Sequence, residues 1–407
     1  MRRYIIFIFV GVFLFSCGKR QKEKTITIWH QMQIEGRETL ERACKEYSAA
    51  HPDLKIVTLY KETEELRSAF QTASLAGGGP QIIYGPSDQV GPFSRMRLIL
   101  PLEELFSTDS LEKFDRMSLT YFEGHLYQIG DRIGNHLALV YNKALIPEPP
   151  KDTDELIKLG KQLTKDIDGD GRIDRYALVW NYTEPYFFIP FLGGFGGWVM
   201  DENAHPTLDT KATIDALRFV VALRDSVAII PKECDYDMAD ALFKEGRAAM
   251  IINGPWSWGG YMKSGLDIGI ACIPKISKTG LWPTPMVSPK GYSINRNTKS
   301  DILPDVINLI YYLTSPSVEL EFTRTLGTIP SRLEAQRDSI VISNPIISAS
   351  REQLARGRPM PVVPELRAIW DAMRPAYQAV LGGAMTPEEA AKMMQKDAEK
   401  KIKEMNE

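Results

Sequence analysis

The stretch Asp166-Ile167-Asp168-Gly169-Asp170-Gly171-Arg172-Ile173-Asp174 sets carboxylates at alternating positions around two glycines. A hard cation such as calcium takes about six to eight oxygens, and carboxylates spaced around a glycine turn supply them. The order follows the D-x-D-x-D-G calcium loop. In that reading Asp166, Asp168 and Asp170 ligate through side chains, Arg172 through its carbonyl, and Asp174 directly or through water. The twelfth position is Ala177, where a bidentate glutamate normally stands. The expectation is a weak structural calcium that braces a surface loop; the competing reading is a hydrated acidic turn. Other chemistry is sparse. Cys44, Cys234 and Cys272 form no CxxC pair and no zinc spacing. The chain has no Walker motif and no GxGxxG after a strand, so no cofactor is expected for activity. A net charge of -3 carries no nucleic-acid footprint.

Aromatic and planar polar side chains stand at the ends of elements and on helix faces. Trp256 follows Asn253-Gly254-Pro255, a turn after an apolar strand. Trp370 and Arg374 stand four residues apart on a helical pattern, hence on one face. The elements around them alternate. Thr25 to Trp29 reads as a strand, Gly36 to Tyr47 as a helix, Leu54 to Tyr60 as a strand, Thr63 to Ala76 as a helix, and Gln81 to Gly85 as a buried strand. This rhythm implies an α/β fold with a parallel sheet and right-handed crossovers. Ligands in such sheets sit beyond the carboxyl ends of the strands, which places His30, Gln31 and Asp88 at the mouth. A second unit begins after Leu137 to Tyr141. The proline-rich stretch Lys278 to Pro289 reads as a connection. Near the C-terminus, Thr386-Pro387-Glu388-Glu389 is a capping box opening a helix.

At the N-terminus, Arg2 and Arg3 precede an apolar run from Tyr4 to Phe15. The run is too short to span the bilayer and fits a secretory signal. Leu14-Phe15-Ser16-Cys17 resembles the lipobox of bacterial lipoproteins. Residues 1–17 are therefore expected to be a signal whose Cys17 takes a lipid, and residues 18–24 a tether to an extracytoplasmic, membrane-anchored body.

Several strings resemble, in order and with similar gaps, the extracellular solute-binding proteins of sugar importers. They are Trp29-His30-Gln31-Met32, Gly77-Gly78-Gly79-Pro80-Gln81-Ile82-Ile83, Leu139-Val140-Tyr141-Asn142-Lys143, Glu184-Pro185-Tyr186-Phe187 and Ala249-Met250-Ile251-Ile252-Asn253-Gly254-Pro255-Trp256. The resemblance implies two discontinuous α/β lobes joined by a hinge, as in periplasmic binding proteins. One lobe would hold 25–134 plus 288–333, the other 137–286 plus 340–407. It further implies a monomer that closes on sugar and docks on the permease of an ABC importer.

A pyranose has apolar C–H faces and a rim of hydroxyls, so its site should mix aromatic rings with carboxylates and amides. By resemblance, Trp256, Tyr186 and Trp370 would stack on sugar rings, and Asp88, Glu184 and Asn135 would hold hydroxyls. Tyr236, Met360 and Arg374 match further cleft positions, and His30 or Gln31 would lie near the ligand. Trp258 is read as packing. The first lobe departs from the family's maltodextrin-binding members: Gly85 replaces a stacking Trp, Gln89 an Arg, Asn135 a carboxylate, and Gln33 and Ile34 an acidic and a basic residue. Maltodextrin-like glucans remain the first expectation, with another solute such as glycerol phosphate as an alternative. A secreted glycoside hydrolase would also want aromatics and paired carboxylates. Glu184 and Asp88 on opposite lobes would hold a fixed pair awkwardly. A solute sensor stays open beside import.

Overall fold

The computed structural model describes residues 24–407. The signal, Cys17 and most of the tether lie outside the described residues. The first lobe is built on a mixed sheet. β1 (Lys24–His30) pairs in parallel with β2 (Leu54–Tyr60) and β3 (Ile82–Pro86), through helices Ile34–Ala50 and Thr63–Leu75. The remaining strands run antiparallel. β4 (Leu119–Phe122) and β5 (His125–Ile133) form a hairpin, and two later strands return to this sheet. The wholly parallel sheet expected from the opening rhythm therefore holds only for β1 to β3. Strands that come back from a hinge need no crossover helix and can lie antiparallel.

The second lobe carries β6 (Ala138–Asn142), β7 (Tyr176–Val179), β8 (Ala248–Asn253) and β9 (Ile268–Ala271), in the order β7-β8-β6-β9. β8 is buried along its whole length, as its unbroken apolar run requires. The connection after β9 holds a short strand, β10 (Met286–Val287). The chain then crosses back as β11 (Lys290–Ile294) and β12 (Ile329–Pro330), which complete the first sheet in the order β12-β5-β11-β3-β1-β2. β13 (Arg358–Pro359) pairs with β10, so Lys278 to Pro289 is not purely a connection.

Two apolar cores result. One holds Ile26, Ile28, Tyr84, Tyr292 and Phe322; the other holds Leu139, Trp180, Ile251, Trp258 and Tyr377. Segment 339–354 reaches both lobes: Val341 and Ile347 form a small cluster of their own with Ile133 and Ile329 of the first sheet, while Ile346 and Ala349 lean on the second core. The lobes are joined by neighbouring backbone crossings at 134–137 and 288–289. The crossings are tied where the Asn135 N–H donates to the Ser288 carbonyl at 2.8 Å.

Among the described residues no helix is long and apolar enough to cross a membrane.

Candidate functional site: a cleft between two lobes

Between the lobes lies a cleft of about 500 Å³. Its walls come from the ends of strands, as open α/β sheets dictate. After β3 a single 3-10 turn, Ser87–Gln89, carries Asp88. After β8 the chain turns through Gly254 into helix Pro255–Lys263, with Pro255 and Trp256 in its first turn. Proline suits that position, because its missing N–H would be unpaired anyway. Beyond β7, the turn Pro185–Phe187 carries Tyr186, with Glu184 just before it. Asp235 caps helix Tyr236–Lys244 and so fixes Tyr236 at its start. Helix Glu365–Leu381 brings Trp370, which is 6% exposed, and Arg374.

Gln31, Asp88, Asn135, Glu184, Tyr186, Tyr236, Trp256, Met360, Trp370 and Arg374 all line this one cleft. His30 does not. Along β1 the inward positions are Ile26, Ile28 and His30, so strict alternation puts the imidazole in the core and Gln31 at the mouth. His30 Nδ1 accepts the Met32 N–H at 3.2 Å, and its Nε2 has no partner. Trp258 is fully buried, in keeping with a packing role.

The polar groups are pre-arranged. Arg374 grips the Glu184 carboxylate with two parallel bonds of 2.9 and 3.0 Å. Across the cleft, Arg67 donates to Asp88 Oδ2 at 3.1 Å, while Asp88 Oδ1 is buried with no donor. The indole N–H of Trp256 donates to the Tyr236 hydroxyl at 3.1 Å, and that hydroxyl in turn meets Ser257 at 2.6 Å. Burial pushes the Tyr236 phenol up to about 12, so it stays a neutral hydroxyl. Tyr186 donates to the Asn135 carbonyl at 2.9 Å and so links the second lobe to the hinge. Its ring lies 6.4 Å from that of Trp256. The lobes also meet directly: Arg367 reaches Glu64 at 2.5 Å, and Lys263 reaches Glu38 at 3.4 Å.

Sequence reasoning missed part of the first lobe's share. Tyr60, at the end of β2, lines the cleft at 37% exposure, with the Arg37 guanidinium 4.1 Å over its ring. Gly85 offers no ring of its own, and the space a side chain would take is filled by the Gln89 amide. Arg67 and Lys290 also line the cleft. The signal for Tyr60 was its place at a strand end, the same signal that marked Asp88.

In the acidic loop, carboxylate oxygens of Asp166, Asp168 and Asp174 gather within 4.8 Å of one another. Asp170 is not part of that group; its Oδ1 instead accepts the Arg172 N–H at 2.8 Å. Ala177 is buried in β7 and has no side-chain oxygen to give.

A profile of the bacterial extracellular solute-binding proteins matches residues 42–349. The chain is similar to the maltotriose-binding protein of Pyrococcus abyssi (strain GE5 / Orsay), 29% identical over 372 residues, 90% of this chain and 78% of that protein. It is also similar to the maltose/maltodextrin-binding domain from Bdellovibrio bacteriovorus, solved bound to maltotriose. That structure is 48% identical with a TM-score of 0.91, over 93% of this chain and 100% of that one. The Thermus thermophilus maltotriose-binding protein, solved with maltotriose, shares the fold at 23% identity and a TM-score of 0.84, over 93% and 100% of the two chains.

Proposed function

The chain belongs to the bacterial extracellular solute-binding proteins, and we propose that it is the maltooligosaccharide receptor of an ABC importer. The observation that carries this is the make-up of the cleft. One lobe brings the rings of Trp256, Tyr186 and Trp370 with Glu184; the other brings Tyr60 and Asp88, whose Oδ1 is a buried acceptor with no donor. Flat rings suit C–H faces, and an unspent carboxylate oxygen suits a hydroxyl. The sugar is bound and released unaltered. Each carboxylate is tied to an arginine of its own lobe, an arrangement for holding hydroxyls rather than for passing a proton. The maltotriose- and maltodextrin-binding relatives support the choice of an α-glucan. The cargo passes to a permease, and the receptor works as a monomer held outside the cytoplasmic membrane by a lipid on Cys17.

Titration calorimetry of the mature chain tests this. Maltotriose binds, glycerol 3-phosphate and amino acids do not, and the trisaccharide is recovered intact. Hydrolysis products, or heat only from another solute, would overturn the reading.

A further inference from the structure

One charged group of the cleft has no part in that reading. Lys290 opens β11 opposite Pro86 of β3 and Arg132 of β5, and the ladder to β5 slips between Lys290 and Gly291. Such a bulge re-aims a side chain, and the Lys290 side chain lines the cleft. Its Nζ stands 4.9 Å from the ring centroid of Trp256. The contact bridges the lobes, because β11 belongs to the first sheet and Trp256 to the second lobe.

The other sides of the indole are already occupied. A Cβ at Gly254 would meet Cζ3, Cη2 and Cε3 of Trp256 at 2.0, 2.3 and 2.5 Å, so the benzo ring lies face-down on that glycine. The indole N–H is held by Tyr236. That leaves one face clear of Gly254, and the Lys290 ammonium stands over this ring, 4.9 Å from its centroid. Nothing else claims the ammonium: among the described residues Lys290 makes no ion pair. The Asp131 carboxylate beside it is spent on Arg132, through two bonds of 2.7 Å, and on the Tyr84 hydroxyl at 3.0 Å. The Asp88 carboxylate answers to Arg67. Burial, with Arg132 adding to it against Asp131 and Asp88, pulls the Lys290 amine down to about 7, so scattering and calorimetry are made at about pH 6, where the amine is charged.

We propose that Lys290 is a stand-in for the sugar: in the empty cleft its ammonium covers the open face of Trp256 and ties the lobes together, and an arriving glucose ring displaces it. This rests on the maltooligosaccharide reading for its ligand, but the Lys290–Trp256 tie itself needs no sugar. A cation over an aromatic face is a real but modest attraction, one a stacked ring can replace. A receptor that must first uncover its own stacking face binds more weakly by that amount.

The test compares the parent chain with K290M, which keeps the stem and loses the charge, and with K290R, which keeps the cation. Small-angle scattering of the three empty proteins reads the tie. K290M is expected to show a larger radius of gyration, and K290R the parent value. Calorimetry with maltotriose reads the competition, and K290M is expected to bind roughly fivefold tighter. Weaker binding by K290M at an unchanged radius would make Lys290 a donor to the sugar and overturn the proposal. So would parent behaviour in both measurements. If no chain binds maltotriose, the sugar reading fails, while the radii of the empty proteins still decide the tie.

Discussion

Trp256 concentrates most of the chemistry that can be assigned to one side chain. It lies on Gly254, donates to Tyr236, approaches Tyr186 and receives Lys290. Trp256→Ala removes the stacking face and a large apolar area together. The expected loss of maltotriose affinity is roughly 1–3 kcal/mol, read by calorimetry. An unchanged dissociation constant would remove Trp256 from the site. Two histidines make a separate prediction. His30 and His136 are fully buried, and burial holds each imidazole down to about 4, with Arg37 adding to the effect at His30. Unfolded, both protonate near the ordinary value of about 6.5. The unfolded chain therefore binds more protons between about pH 6.5 and 4, and stability drops as the pH is lowered through that window. The full stability is present above the window, and each histidine removes on the order of 1–3 kcal/mol by its lower end. Urea titrations at several pH values check the slope. His136→Gln should flatten it, because an amide at that position cannot take up the proton. The buried Glu319 carboxyl, raised well above its ordinary value, acts in the opposite sense in both proteins.

Elements explain why some of these residues could be read from the sequence and others could not. Asp88, Glu184, Tyr186 and Trp256 each follow the end of an element, and a strand end in an α/β sheet points at the ligand side. Lys290 and Arg67 carry no such local mark. Lys290 reaches the cleft through a bulge set by pairing with β5, a strand far earlier in the chain. Arg67 projects from the middle of a helix and matters only because Asp88 folds beside it. His30 was legible and misplaced: the alternation Ile26, Ile28, His30 already assigns it to the core. The acidic loop shows the same limit. Its spacing gathers Asp166, Asp168 and Asp174, but the backbone N–H groups of residues 167 to 171 already occupy their oxygens. For this loop we propose a weak calcium brace, in keeping with the missing twelfth ligand. Millimolar calcium should raise the thermal midpoint of the parent chain and leave that of an Asp166→Asn variant unmoved. Maltotriose affinity should be the same with calcium or chelator, because none of the loop residues lines the cleft.

At the scale of the whole molecule, the two lobes meet at a rim beside the cleft. The discontinuous cores and their hinge follow from the order of strands, since β11 and β12 return to a sheet the chain had left at β5. The family resemblance carried that arrangement; composition and periodicity alone show only alternating elements. What neither conveys is how closely the rim fits. Helix Val90–Arg95 starts at the first lobe's edge, and its Gly91 faces the segment leading into helix Glu365–Leu381. A Cβ at Gly91 would fall 1.8 Å from the Val362 carbonyl oxygen. That neighbour is backbone in a packed segment and has no side-chain rotation with which to yield. Gly91→Ala should therefore act as a wedge, holding the rim apart and pushing back the segment that carries Met360 into the cleft. Closure is a hinge motion that completes a site built from two walls, so a chain unable to close keeps only one wall's contacts. The expected result is a drop in maltotriose affinity of roughly tenfold, which is about 1.4 kcal/mol, with little change in the thermal midpoint of the empty protein. Arg367→Gln removes the nearby cross-lobe ion pair but inserts no bulk. Because Arg367 and Glu64 are partly exposed, that variant should cost well under about 1 kcal/mol. A larger loss from Arg367→Gln than from Gly91→Ala would show that charge, and not the fit of the two backbones, governs the rim.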